Sequence, residues 1–243
     1  MLKNPQDWFQ TWFDTPYYHI LYKERNYKEA QNFMNNLTSY LKLVKDDQVL
    51  DLACGRGRHS LYLGTLGYNV TGIDLSERNI DYAQKFASDN VQFKVHDMRF
   101  PYPNRFKAVF NLFTSFGYFE NEADNEQTIA SIKKNIADGG RGVIDFMNTE
   151  YVIKNLVRKE IKVVDHIKFH IKRYIQDDYI IKEIKFTDGD QSYFYTEKVK
   201  IITLEKFKTY FKNCNIELID TFGNYELQAF HKEHSPRLIL VFK

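Results

Sequence analysis

Three aspartates and two glycines stand in a suggestive order along this chain of 243 residues: Asp51, Gly55, Gly57, Asp74 and Asp97. Before the glycines runs an apolar stretch that suits a buried strand (Val49, Leu50, Leu52, Ala53), and after them a helix-compatible one from Arg58 to Leu66. Glycine takes backbone angles that a side chain forbids, and without a Cβ it lets a ligand lie against the main chain. Asp51, just ahead of the turn, suits a ligand's ammonium group better than a pyrophosphate. A dinucleotide site wants a third glycine, and that position is Ser60. Asp74 follows Gly55 by nineteen residues, where a doubly wound fold returns the end of its second strand to the glycine turn. A carboxylate at that point can accept both hydroxyl hydrogens of a ribose.

This constellation resembles the first motifs of the class I S-adenosylmethionine-dependent methyltransferases, and the resemblance runs from about Val49 to Asn148. It implies S-adenosylmethionine as cofactor, with Asp51, Gly55 and Gly57 at the methionine end, Asp74 at the ribose and Asp97 at the adenine amino group. It also places Tyr17, Arg25, Ala53, Leu75, Met98 and Leu112 around the cofactor, Tyr17 in an N-terminal lid and Arg25 as a carboxylate partner. Enzymes of this class that methylate base amines carry an Asn/Asp-Pro-Pro-aromatic motif where this chain has Asn111, Leu112 and Thr114 without proline. A Pro-Cys pair for cytosine-C5 chemistry is missing as well. Both departures weigh against a nucleic-acid base as acceptor.

The elements that must position these residues alternate. Apolar residues at helical spacing from Arg25 to Val44 precede the first strand, and strands at YNVTGIDL, VQFKV and FKAVFNLF alternate with helices over Glu77–Ala87 and 125–137. Ser76 suits the N-cap of the helix that begins at Glu77. The reading is an α/β doubly wound, seven-stranded Rossmann-like methyltransferase sheet with a small antiparallel β insertion after the fifth strand. Residues 1–148 form the lid and cofactor part, 149–202 the insertion over the active site, and 203–243 the return to the core.

Within the insertion, three long strands are expected between Ile161 and Ile202, with Ile161, Val163, Ile167, Phe169, Ile171 and Ile175 sharing one face. Arg173 interrupts that face and should meet Glu197 or a substrate carboxylate, with an internal ion pair as the plainer account. The acceptor is expected against Phe116, Tyr118, Asn148, Arg173, Tyr193 and Tyr195, and a base, if one is needed, among His19, Tyr118 and Tyr195. The aromatic stretch Trp8, Phe9, Trp12, Phe13, Tyr17, Tyr18 and Tyr22 reads either as a cap packed on the core or as a lid.

A net charge of +2 demands neither a nucleic-acid nor a membrane partner. Cys54 and Cys214 are too few for a disulfide framework, and His231 and His234 lack the companions of a metal site. The expectation is a cytoplasmic enzyme that uses no metal and methylates a small molecule at nitrogen or oxygen. An RNA or protein methyltransferase and a non-catalytic binder of S-adenosylmethionine or S-adenosylhomocysteine stay open, as does the oligomeric state.

Overall fold

The structure, a computed structural model, describes residues 8–23 and 27–243. The chain runs through helices α1 (Trp8–Trp12), α2 (Pro16–Leu21) and α3 (Tyr27–Tyr40), then β1 (Gln48–Leu52), α4 (Arg58–Thr65), β2 (Asn69–Asp74), α5 (Glu77–Gln84) and β3 (Val91–Val95). It continues through β4 (Phe106–Asn111), α6 (Glu122–Asn135), β5 (Ile136–Met147) and α7 (Thr149–Lys154). Four strands follow, β6 (Lys159–Val164), β7 (Ile167–Gln176), β8 (Tyr179–Asp188) and β9 (Gln191–Lys200). The chain closes with α8 (Leu204–Asn213), β10 (Leu218–Phe222) and β11 (Arg237–Phe242).

Seven strands form one sheet in the order β10-β11-β5-β4-β1-β2-β3. Strands β1 to β5 are parallel, and β11 runs antiparallel between β5 and β10. Successive residues of β1 face opposite layers: Val49 packs with Phe33 and Met34 of α3 and Leu63 of α4, while Leu50 packs with Ile129 of α6 and Phe207 of α8. Helices cover both faces, which is why β1 reads as a nearly continuous apolar run. Each large apolar side chain so buried contributes about 1.5–3 kcal/mol. Ser76 caps α5 by accepting the Asn79 N–H at 3.1 Å, as its position suggested. That helix stops at Gln84 rather than Ala87, and Phe86 is exposed.

The insertion is a four-stranded antiparallel sheet, β6-β7-β8-β9, and not three strands. What reads as one strand across 161–175 is a hairpin whose two-residue turn is Asp165-His166, with Asp165 in the left-handed region at φ 51°. Val164 pairs with Ile167, so both point inward. That register inverts the parity of β6: Ile161 and Val163 lie opposite His170 and Lys168, 56% and 62% exposed. The Thr-Asp-Gly-Asp stretch at 187–190 makes the turn that joins β8 to β9, with Gly189 at φ 58°.

The N-terminal helices lie on the inner face of this sheet. Trp12 and Leu21 are buried with Phe169, Ile171, Ile184 and Phe186, a third apolar core separate from the two flanking the large sheet. Helix α2 is started by Pro16 at its first turn and by Thr15, whose hydroxyl accepts the Tyr18 N–H at 3.1 Å. Among the described residues no helix is long and apolar enough to cross a membrane.

Candidate functional site

A cavity of about 880 Å³ opens over the carboxyl ends of β1, β2, β3 and β4, where an open α/β sheet places its ligands. Its floor carries Asp51, Ala53, Gly55, Asp74, Leu75, Asp97, Met98 and Leu112. These eight positions, far apart in sequence, come together because parallel strands put all their carboxyl ends on one edge.

The floor is built around Asp74. Its two carboxylate oxygens accept the Gly55 and Ser76 backbone N–H groups, each at 2.9 Å. Burial pushes its carboxyl above the usual range, against those two hydrogen bonds. A carboxylate offers about four acceptor positions, so two remain for a ligand. Gly55 sits at φ +56°, and a Cβ built on it would meet nothing within 4 Å, so its main chain faces open space. Gly57 works differently. It does not line the cavity, and a Cβ there would lie 2.5 Å from Phe93 Cζ, so its smallness serves helix-on-strand packing rather than ligand contact.

Asp51 is buried and accepts the Ser60 hydroxyl at 2.6 Å. Burial raises its carboxyl to about 7, with the charge of Asp74 adding and the Ser60 hydrogen bond opposing. Ser60, standing where a third glycine was sought, is thus the residue that holds Asp51. Asp97 is bound by Arg99, whose Nη2 lies 2.6 Å from Oδ2 and whose backbone N–H reaches Oδ1 at 2.9 Å. Burial acts to raise the Asp97 carboxyl, but the hydrogen bonds and charge of Arg99 outweigh it and hold it below the ordinary range. The acidic cradle, the open main chain at Gly55 and the buried carboxyl of Asp51 fit the diol and ammonium of S-adenosylmethionine.

The roof is made by the N-terminal helices and β9. Phe9, Phe13, Tyr18, His19 and Tyr22 line the cavity from above, with Glu197 and Val199. Glu197 locks the helices to the insertion: its Oε1 accepts Trp12 Nε1 at 2.8 Å and the Tyr22 hydroxyl at 2.7 Å, and Lys182 Nζ lies 3.3 Å from its Oε2. Within the aromatic stretch, Trp12 packs in the core under the insertion sheet, while Phe9, Phe13, Tyr18 and Tyr22 face the cavity.

Several expected contacts are elsewhere. Tyr17 points away from the cavity, between Phe186 and Tyr193, and donates its hydroxyl to Asp188 at 3.0 Å. Arg25 lies outside the described residues. Of the expected acceptor set only Tyr118 lines the cavity, and its hydroxyl donates to the Thr114 carbonyl at 2.5 Å. Phe116 is wholly buried against Phe207. Asn148 donates to the carbonyls of Lys232 and Ser235, each at 2.8 Å. Arg173 meets Glu160 at 2.7 Å, not Glu197. Tyr193 stacks on Phe186, and Tyr195 packs on Trp12 with ring centroids 4.5 Å apart, so the N-terminal helices stand between these tyrosines and the cavity.

Residues that the sequence reading passed over take their place. His59 lines the cavity, stacks on Phe113 at 4.2 Å and lies with Nε2 2.7 Å from Arg58 Nη2. Asp14 lines it too. The available signal for Arg58 and His59 was adjacency, since they open the helix that follows the glycine turn; Asp14 had only its isolation as an acid among aromatics.

A methyltransferase domain family model matches residues 43–211. An uncharacterized methyltransferase of Schizosaccharomyces pombe is 40% identical over 91 residues, 35% of this chain and 61% of that protein. The dTDP-3-amino-3,4,6-trideoxy-alpha-D-glucopyranose N,N-dimethyltransferase of Streptomyces venezuelae is 27% identical over 149 residues, 58% of this chain and 61% of that protein. The chain spans less than two thirds of the length of these curated relatives, 61% of each. In fold, the chain is similar to an S-adenosylmethionine-dependent methyltransferase from Clostridium acetobutylicum, with TM-score 0.79, 20% identity, and 93% and 95% of the two chains covered. With the glycine turn, the acidic residues near the ends of β1, β2 and β3 and the seven-stranded sheet all in place, the chain belongs to the class I S-adenosylmethionine-dependent methyltransferases.

Proposed function

We propose that this protein transfers the methyl group of S-adenosylmethionine to an amine or hydroxyl of a small molecule held under the N-terminal helices. One observation carries the reading: a cavity of about 880 Å³ bounded by the Asp74 cradle below and by rings of Phe9, Phe13, Tyr18 and Tyr22 above. Small-molecule sites occupy ~300–1,000 Å³, so the volume suits the cofactor with a compact acceptor. The relative that methylates an amino sugar nucleotide supports nitrogen as the acceptor atom.

The cofactor brings an electrophilic methyl on a sulfonium whose departure needs no acid. What falls to the chain is orientation and exclusion of water, for which effective molarities reach ~10⁵–10⁸ M in favourable cases. Asp74 orients a diol through the acceptor positions left by Gly55 and Ser76. Asp51, its carboxyl raised to about 7 by burial, is drawn to its charged form by an ammonium placed beside it. The aromatic roof keeps water from the transfer, and of the histidines that line the cavity, His19, His59 and His96, the Nε2 of His59 accepts from Arg58, so His19 in the roof is the imidazole assigned to take a proton from an acceptor.

The test is calorimetry with S-adenosylhomocysteine, followed by a screen of small amines and alcohols for release of that product from S-adenosylmethionine. Binding by the wild type, at least tenfold weaker for Asp74→Asn, is expected, since a hydrogen bond to a charged group is worth about 1.5–3 kcal/mol. Turnover confined to RNA or protein acceptors would overturn the small-molecule reading.

A further inference from the structure

Two carboxylates reach the same serine from opposite walls of the cavity. From the floor, Asp74 accepts the Ser76 backbone N–H at 2.9 Å; from the roof, Asp14 accepts the Ser76 hydroxyl. That hydroxyl also accepts the Asn79 N–H, so Ser76 is fully engaged and Asp14 is held in a defined place. Asp14 occupies the turn between α1 and α2, closed by the Thr15 N–H bonding to the Trp12 carbonyl at 3.0 Å. Both carboxylates line the cavity.

We propose that Asp14 is a second acceptor for the cofactor's ribose diol, facing Asp74, and that this shared diol couples closure of the N-terminal helices to cofactor binding. The physical reason is that two carboxylates in a poorly hydrated place repel each other unless hydrogen-bond donors stand between them. The burial that lifts the Asp74 carboxyl is reinforced by the charge of Asp14. A vicinal diol carries two hydroxyl donors, one for each carboxylate, and turns that repulsion into two charge-assisted hydrogen bonds. Asp14 is carried by helices that Glu197 fastens to the insertion sheet through Trp12 and Tyr22. Filling the diol site therefore pulls on the whole roof. Discrimination against a nucleoside lacking its hydroxyls then depends on the roof as well as on the floor.

The inference rests on S-adenosylmethionine being the cofactor, and the experiment separates the two. Calorimetry compares S-adenosylhomocysteine with its 2′-deoxy and 3′-deoxy counterparts on the wild type, Asp14→Ala and Asp14→Asn; hydrogen exchange follows residues 8–23 with and without S-adenosylhomocysteine. The asparagine variant keeps an oxygen for the Ser76 hydroxyl while removing the charge. Expected for the wild type is a preference of about tenfold or more for the intact diol, with slower exchange in residues 8–23 on binding. In both variants that preference should fall severalfold and the slowing of exchange should diminish. If the wild type binds S-adenosylhomocysteine but the variants keep its full preference and its exchange response, Asp14 merely caps Ser76 and the inference fails alone. If the wild type does not bind S-adenosylhomocysteine, the cofactor reading falls and takes the inference with it.

Discussion

Arg237 closes on the fully buried carboxylate of Asp145, its Nη2 and Nε lying 2.7 and 2.8 Å from Oδ1. The pair sits where β5 ends and β11 begins, and it organises the chain leaving β4. Asp145 Oδ2 accepts the Phe113 N–H at 2.8 Å, its carbonyl accepts the Thr114 N–H at 3.0 Å, and Arg237 Nη2 donates to the Thr114 hydroxyl at 2.9 Å. Phe113 and Thr114 are both in the left-handed region, at φ 57° and 61°, a bend that non-glycine residues hold only when their surroundings impose it. The bend turns Phe113, Ser115 and Tyr118 into the cavity.

Replacing Arg237 with methionine leaves the Asp145 charge buried without its partner. The expected loss is about 3–5 kcal/mol, read from urea denaturation at neutral pH. A variant as stable as the wild type would show that the pair is dispensable to the fold.

The two glycines of the turn should fail in different ways. In Gly57→Ala the new methyl lies 2.5 Å from Phe93 Cζ at φ +78°, so stability should drop by about 1–3 kcal/mol or more. In Gly55→Ala the methyl meets no protein atom within 4 Å and projects where a ligand would lie. Strain from φ +56° makes it destabilising by about 1 kcal/mol, while S-adenosylhomocysteine affinity should fall more than in any variant of comparable stability. Denaturation and calorimetry on the same two proteins decide this, and the reverse pattern would contradict the assignment of their roles.

Asp51 gives a pH signature. Its carboxyl is raised by burial from 3.8 to about 7 in the folded chain, so the folded state holds the proton more tightly than the unfolded state. Stability from this group is then complete below pH ~4 and is lost as pH rises through about 7. Asp51→Asn, which still offers an oxygen to the Ser60 hydroxyl, should melt higher than the wild type at pH 8, with the advantage vanishing toward pH 4. The same substitution should weaken S-adenosylhomocysteine binding, because the ammonium partner is gone. Parallel melting curves for the two proteins across that range would refute the account.

Glu197→Ala removes the acceptor shared by Trp12 and Tyr22 and leaves Lys182, half of a largely buried ion pair, without that carboxylate. The N-terminal helices should loosen from the insertion sheet while the seven-stranded core stays intact. Limited proteolysis should cut within residues 8–23 several times faster than in the wild type. Unchanged cleavage there would mean that the apolar contacts of Trp12 and Leu21 hold the helices by themselves.

Much of the cofactor floor was legible because its signals are local or set by strand order. Asp51, Gly55 and Asp74 lie at strand ends or on the turn next to them, and once the parallel alternation is recognised those ends must converge on one edge. Apolar runs such as Val49 to Leu52 likewise announce a strand covered on both faces. Sequence alone could not decide which glycine faces the ligand, since that depends on Phe93, a strand away in space from Gly57. Nor could it show that 161–175 folds back at Asp165-His166, because period-two alternation continues through a two-residue turn while the faces exchange. The acceptor side was misplaced for a related reason. Alternation assigns Tyr193, Tyr195 and Arg173 to a sheet face, but whether that face meets the cavity depends on what packs against it. The N-terminal helices, joined to it through contacts distant in sequence such as Leu21 to Lys162 and Trp12 to Glu197, take that place. Local chemistry is written in neighbouring residues, and the roof of this site is made of contacts that exist only after the chain has closed on itself.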